Sequence, residues 1–293
     1  DIFENHNDDN LYILSTKPYY DLLKKNPFIK DVIIDKRKSR FNLIYLYLLM
    51  REIKKYSFSK IYDLQNSSRS RFYKKILHPK EGLEIWSSSS TTLPKDITKE
   101  EFDKGPVLNR FEHQLNKSGL ITKNVLKPNF NWSCEDISNL KSIYKLEKYI
   151  ILFPFSSAHL TIKRWPFYNE LIQKIKEKFE NKYQLIVAPG PNEIKIANEI
   201  DAKIILNNER ALNISQLSTL IKDSSFVIAN DTGPAHMAAH LNKKGKVLFG
   251  QHTTPEKVSI ETDKFKAITT DELINLSAEK VYSEIKKDLD LID

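Results

Sequence analysis

Three short stretches hold the residues best suited to chemistry, and each follows an apolar run that reads as a buried strand. Phe226 to Leu241, FVIANDTGPAHMAAHL, ends its run at Asn230 and Asp231, turns at Thr232 and Gly233, and opens a helix at Pro234. A helix start exposes backbone N–H groups and the positive end of the helix dipole, here beside the Thr232 hydroxyl, and that combination suits a phosphate. A plain turn in which Asp231 or Thr232 caps the helix satisfies the same pattern. Phe153 to Pro166, FPFSSAHLTIKRWP, offers the hydroxyls of Ser156, Ser157 and Thr161, then Lys163 and Arg164 just before a helix expected from Pro166. Such donors take up the negative charge that grows on a diphosphate leaving group; a solvated basic loop has the same composition. In Ala188 to Glu193, APGPNE, Gly190 permits a tight turn. Glu193 there can accept both hydroxyls of a ribose, or can simply complement the dipole of the next helix.

The elements that position these stretches alternate between strand-like and helix-like patterns. In the first half, Asn10–Ser15, Phe28–Ile34 and Lys60–Leu64 read as strands; Pro18–Lys25, Phe41–Tyr56 and Ser68–Leu77 read as helices. Ser87 to Thr92 reads as a polar loop, and KPNFNWS at 127–133 as a linker, followed by a polar helix from about Glu135 to Leu146. The alternation then restarts with strands at Tyr149–Phe153, Gln184–Ala188, Lys203–Leu206, Phe226–Ala229 and Val247–Phe249. Helices are expected at Pro166–Phe179, Glu193–Ile200, Ile214–Ile221 (with Asn213 or Ser215 as a cap) and Pro234–Leu241. Successive βα units imply parallel sheets, and ligands bind outside the carboxyl ends of such strands. The expected division is a first domain over 1–146 and a second over 147–293.

Length and composition agree with two globular domains: 293 residues, 40% hydrophobic and 29% charged. Cys134 is the single cysteine and cannot pair internally, which favours a reducing, cytoplasmic compartment. The longest apolar run, Leu43 to Met50, is too short to span a bilayer. The formal charge of +8 is uneven: residues 1–148 hold 27 Lys/Arg and 19 Asp/Glu, whereas 149–293 hold 19 of each. A basic half suggests an anionic partner, such as a membrane surface, a phosphorylated glycolipid or nucleic acid, or else a solubilising surface. Lys36 to Lys55 joins KRKSR, an apolar run and REIKK, and reads either as a helix lying on a membrane or as a core helix.

Taken together and in order, KRWP at Lys163–Pro166, the turn Gly190–Glu193 and NDTGPAHMAAHL followed by VLFG resemble glycosyltransferase family 9, the bacterial lipopolysaccharide heptosyltransferases. NPFIKDVI (Asn26–Ile33) and YDLQNSSRS (Tyr62–Ser70) resemble it more loosely. The resemblance implies a GT-B fold, α/β, with two Rossmann-like domains facing a cleft. It implies metal-independent, inverting transfer of a heptose or related sugar from an ADP-sugar, ADP-heptose above all, to the inner core on lipid A. No cofactor is implied. The expected setting is cytoplasmic, peripheral on the inner face of the inner membrane, with contact to anionic lipid rather than nucleic acid. By the same resemblance Ser156, Ser157, Lys163 and Arg164 face the donor phosphates, with Lys163 stabilising the leaving group. Glu193 holds the ribose. Asp231, Thr232, Gly233, Pro234 and His236 hold the diphosphate and the sugar. The family's first strand and Gly-Asp loop, which carries the proposed base, have no counterpart here. Asp1-Ile-Phe-Glu-Asn reads as the end of the helix after that loop, so the base is expected upstream of Asp1, and the 293 residues alone are expected to bind donor but transfer slowly.

Other patterns carry less. His236 and His240 share a helix face at zinc-ligand spacing but lack a third ligand nearby. Asp288-Leu-Asp290 lies in a charged terminal helix or tail, and neither Ser156 nor Ser157 sits in a GxSxG elbow. Two further functions compatible with the motifs are a non-catalytic nucleotide-sugar-binding module and a GT-B sugar-nucleotide epimerase.

Overall fold

The computed structural model describes residues 1–77, 85–157, 160–179 and 182–291. The chain divides into two compact units, Asp1–Pro128 and Asn129–Asp293.

In the first unit, β1 (Leu11–Ser15) pairs in parallel with β2 (Ile29–Ile34), and β3 (Ile61–Tyr62) with β4 (Trp86–Ser87). The helix Leu43–Lys54 buries Tyr45, Leu46, Leu49, Met50 and Ile53 against Ile33, Tyr73 and Trp86. Those positions recur on one side of a 3.6-residue period, so only half of this apolar helix is core. Asn42 caps its start, its side chain accepting from Tyr45 N at 2.9 Å. Ser87, expected to open a polar loop, is instead a buried strand residue. Gln114 Nε2 donates to its carbonyl at 3.2 Å, and Ser118 Oγ donates to its hydroxyl at 2.6 Å. Partners brought from the helix Val107–Lys117 and its end make burial of this polar segment tolerable, and local pattern gave no sign of them.

The second unit is built on one six-stranded parallel sheet in the order β10-β9-β8-β5-β6-β7. Its strands are β5 (Tyr149–Phe153), β6 (Gln184–Val187), β7 (Lys203–Ile204), β8 (Phe226–Asn230), β9 (Gly245–Phe249) and β10 (Phe265–Thr269). All residues of β5 and β8 are buried, as expected for strands covered on both faces. Alternate residues divide the core. Ile150, Leu152, Phe226 and Ile228 pack with the helices Tyr168–Phe179 and Ala278–Asp290. Tyr149, Ile151, Val227 and Ala229 pack with Ser138–Tyr144, Ile214–Asp223 and Gly233–His240. Residues 129–146 belong to this unit: Ile137, Leu140 and Leu146 lie in its core, and Phe130 N donates to His240 O at 3.0 Å. The division between the compact units falls after Pro128, ahead of the expected boundary at 146. Strand β10 lies outside the expected elements: only Phe265 and Ile268 of its five residues are buried, without a two-residue period, so its pattern is weak. Asn213 caps the helix Ile214–Asp223 through a capping box with Gln216.

Gly245 allows β9 to approach its neighbours. A Cβ there would lie 2.4 Å from the Val227 carbonyl oxygen and 2.8 Å from the Phe265 ring. Among the described residues, no helix is long and apolar enough to cross a membrane.

Candidate functional site

Strands β5, β6 and β7 run outward in one direction and β8 returns to the other side of β5. The loops after β5 and β8 therefore separate, and a crevice opens at their carboxyl ends. Asn230, the last residue of β8, fixes the rim. It is buried; its Nδ2 donates to Pro154 O at 2.8 Å, and its Oδ1 accepts from Trp165 N at 3.4 Å and Tyr168 Oη at 3.3 Å. One side chain thus ties the end of β8 to both ends of the loop following β5.

The crevice encloses about 450 Å³, within the size range of small-ligand sites. Ser156, Ser157, Lys163, Glu193, Asp231, Thr232, Gly233, Pro234 and His236 all line it. Arg164 does not: its Nε donates to Ser156 Oγ at 3.2 Å and its Nη2 to Ser156 O at 2.9 Å. Ser156 Oγ in turn donates to Leu160 O at 2.9 Å, so Ser156 and Arg164 brace the loop as found. Ser157 is exposed. Residues 158 and 159 of the FPFSSAHLTIKRWP stretch lie outside the described residues.

Asp231 is the electrostatic centre. Its Oδ2 accepts from Lys163 Nζ at 2.6 Å and lies 3.0 Å from His252 Nε2, while its Oδ1 lies 3.6 Å from His236 Nε2. Burial alone would raise its pKa, but the facing donors His236, Lys163 and His252 outweigh burial and hold it well below the usual carboxylate range. An ionised carboxylate only accepts, so the His252 proton that it meets sits on Nε2. The other ring nitrogen, Nδ1, is buried and has no partner among the described residues. His252 was not singled out in the sequence. Its signal is positional: it follows β9, the strand beside β8, at the same edge of the sheet.

Thr232 occupies the N-cap position of the helix Gly233–His240 without capping it through its side chain; its hydroxyl donates to Asn230 O at 3.2 Å. Pro234 brings no N–H, and Ala235 N and His236 N already bond Thr232 O. As the first residue of the helix, Gly233 has no intrahelical acceptor for its N–H, and a Cβ on Gly233 would meet nothing within 4 Å, leaving room for a ligand.

Glu193 closes a turn with Gly190. Gly190 N donates to Glu193 Oε2 at 2.8 Å and Glu193 N to Gly190 O at 2.9 Å. A Cβ on Gly190 would stand 3.1 Å from Oε2, so a larger residue here would push the Glu193 carboxylate outward by a few tenths of an ångström. Opposite, Ala188, Pro189, Leu212 and Leu217 form an apolar wall.

His240, one turn beyond His236, has its pKa lowered to about 4 by burial and by the charge of His236. Asp288 lies 3.2 Å from Lys244 and 3.5 Å from Lys246 on the far helix. Among the described residues no group of three or more His, Cys, Asp or Glu converges as a metal-ligand set.

A doubly wound parallel sheet with a charged crevice at its switch point defines a Rossmann-type domain. The sequence model of glycosyltransferase family 9 (heptosyltransferase) matches residues 46–286. The chain therefore belongs to glycosyltransferase family 9 and is a glycosyltransferase. The chain is similar to the solved structure of the Escherichia coli ADP-heptose lipopolysaccharide heptosyltransferase II, with a TM-score of 0.67 and 16% identity over 98% of this chain and 91% of that one. For the E. coli heptosyltransferase WaaC with ADP-2-deoxy-2-fluoro heptose the values are 0.66, 13%, 98% and 93%. For the family 9 glycosyltransferase of Veillonella parvula DSM 2008 they are 0.63, 15%, 97% and 90%. At such identities these likenesses carry the fold, which is α/β of the GT-B class. No curated protein sequence matches the chain.

Proposed function

We propose that the protein transfers a heptose or closely related sugar, with inversion, from an ADP-sugar to the inner core of a lipid A-linked acceptor. In this reading the second unit holds the donor and the first serves the acceptor, at the inner face of the inner membrane. The observation that carries the reading is the convergence of Lys163, Glu193, Asp231 and the Gly233 turn on one crevice at the switch point of the sheet. The E. coli WaaC structure, which contains an ADP-heptose analogue, supports an adenine nucleotide donor for a relative of the same fold.

The chemistry follows from the residues. The apolar wall of Leu212, Leu217 and Pro189 suits the face of a base, and the Glu193 oxygen not held by Gly190 suits the ribose hydroxyls. The diphosphate meets Lys163 Nζ, the Thr232 hydroxyl and the Gly233 N–H. As the acceptor hydroxyl attacks the anomeric carbon and gives up its proton to a general base, the bond to the diphosphate breaks and negative charge grows on that leaving group. An ammonium already held in place by Asp231 stabilises that charge without reorganising. Ser157 is free to add a hydroxyl; Ser156 and Arg164 support the loop.

The test is calorimetry with ADP, UDP and ADP-heptose, followed by a transfer assay with an inner-core acceptor. Tight binding of the ADP compounds with sugar transfer is expected. Preference for UDP would sink the donor assignment, and donor binding without transfer would favour a non-catalytic binding module.

A further inference from the structure

The helix Leu43–Lys54 has two faces of different kinds. One is the core stripe of Tyr45, Leu46, Leu49, Met50 and Ile53. The other is apolar as well but uncovered: Leu43 is 74% exposed, Ile44 76%, Tyr47 65% and Leu48 47%, with Phe41 at 93% just before the helix. At 100° per residue, positions 43, 44, 47 and 48 fall on one side, opposite the core stripe. Scattered exposed apolar side chains are ordinary; five contiguous large ones are not.

Cations flank this patch at both ends. Lys36, Arg37, Lys38 and Arg40 precede it and are exposed; Arg51, Lys54 and Lys55 follow on the same side of the helix, against the single acid Glu52, which pairs with Lys55 at 2.5 Å. Arg51 lies 6.0 Å from the centre of the Tyr47 ring.

The basic loop is held in position. Buried Asp35, directly after β2, accepts from Tyr45 Oη, from Tyr73 Oη at 2.9 Å and from Arg37 N at 2.7 Å. Arg69 donates to the carbonyls of Arg37 at 3.3 Å and Lys38 at 3.0 Å. Arg40 donates to Ser68 Oγ at 2.8 Å and stacks over Phe72. A buried carboxylate and two hydroxyls thus anchor the loop to the same helix that carries the patch, so both are presented together.

We infer that this face docks on an anionic lipid surface, with Phe41, Leu43, Ile44, Tyr47 and Leu48 entering the interface and the flanking cations meeting lipid phosphates. Charge complementarity selects this occupant. A protein surface of matching shape would need acids at both ends of an apolar groove, whereas an anionic bilayer supplies charge around any inserted patch. A helix with one apolar face, Lys and Arg at its edges and an aromatic hydroxyl at the boundary is the physical form of an interfacial anchor. The inference rests on the reading of a lipid-linked acceptor for its purpose, and its test is independent of transfer.

Sedimentation of the full chain with phosphatidylglycerol vesicles and with phosphatidylcholine vesicles tests it. Wild type should bind the anionic vesicles preferentially. Ile44→Asp combined with Tyr47→Asp, both at exposed positions, should weaken that binding roughly tenfold or more while the melting temperature holds. Arg51→Ser combined with Lys54→Ser should retain some binding but flatten its salt dependence, because screening acts over about 10 Å at 0.1 M salt. Equal binding to both lipids, or unchanged binding by the Ile44/Tyr47 variant, overturns the inference. So does a wild-type dimer that this variant dissolves, in the absence of vesicle binding, since a second copy would then cover the face. Transfer to a soluble, delipidated acceptor, measured in parallel, reports separately on the transferase reading.

Discussion

Replacing Lys163 with alanine perturbs two partners at once, and the geometry separates them. In the free protein Lys163 Nζ is 2.6 Å from Asp231, so its removal leaves a buried carboxylate held, among the described residues, by His252 and His236. Lysine is partly exposed, which places this pair between surface pairs, worth about 0–1 kcal/mol, and fully buried ones; a loss of about 1 kcal/mol of stability is expected. In the complex the same ammonium meets the diphosphate, and a charge-assisted hydrogen bond contributes about 1.5–3 kcal/mol, or roughly 10- to 150-fold in affinity. Calorimetry with ADP on Lys163→Ala, Asp231→Asn and the double variant measures both effects. The binding loss should be large in Lys163→Ala. The double variant should be more stable than the sum of the single losses, because Asp231→Asn removes the charge that Lys163→Ala strands. Equal ADP affinity in wild type and Lys163→Ala refutes the assignment of Lys163. Additive stability losses refute the coupling with Asp231.

Four further outcomes follow from the geometry. Glu193→Gln should lower ADP affinity about tenfold and abolish discrimination between ADP and its 2′-deoxy form; discrimination that survives the substitution moves the ribose contact elsewhere. Gly233→Ala should leave the melting temperature unchanged, since its Cβ meets no protein atom, yet weaken donor binding. Gly245→Ala should instead destabilise by about 1–3 kcal/mol, because its Cβ would strike the Val227 carbonyl. Asp231 has a depressed folded-state pKa, so its stabilising contribution is present above the ordinary carboxylate range and is lost as pH falls through the folded value. In urea titrations, the stability difference between wild type and Asp231→Asn should hold constant above about pH 5 and shrink below about pH 4; a difference independent of pH would contradict the charged state assigned to Asp231.

Much of the second unit was legible from sequence because its signals are local. The short β-branched run YIILF reads as a strand covered on both faces, and NDTGP reads as the end of such a strand and the start of a helix. Glycines and prolines mark the turns, and parallel topology then forces the loop ends to one edge of the sheet. Convergence of Lys163, Glu193, Asp231 and Gly233 on one site is what the family resemblance implies, and the parallel topology supplies its physical reason. Pairing within that group does not follow from either. That Lys163 holds Asp231 and that His252 comes from the loop after β9 to hold it too depend on which strands are neighbours. Strand order is set by packing between residues far apart in the chain. The same division holds for the helix Leu43–Lys54. Composition made it apolar and its flanks basic, but the sequence left open whether it was core or surface. Only the tertiary structure, by placing β2, Tyr73 and Trp86 against one face and leaving the other uncovered, decided that it is both. The reason is physical: periodicity defines which side chains share a face, whereas burial depends on what the rest of the chain brings to it.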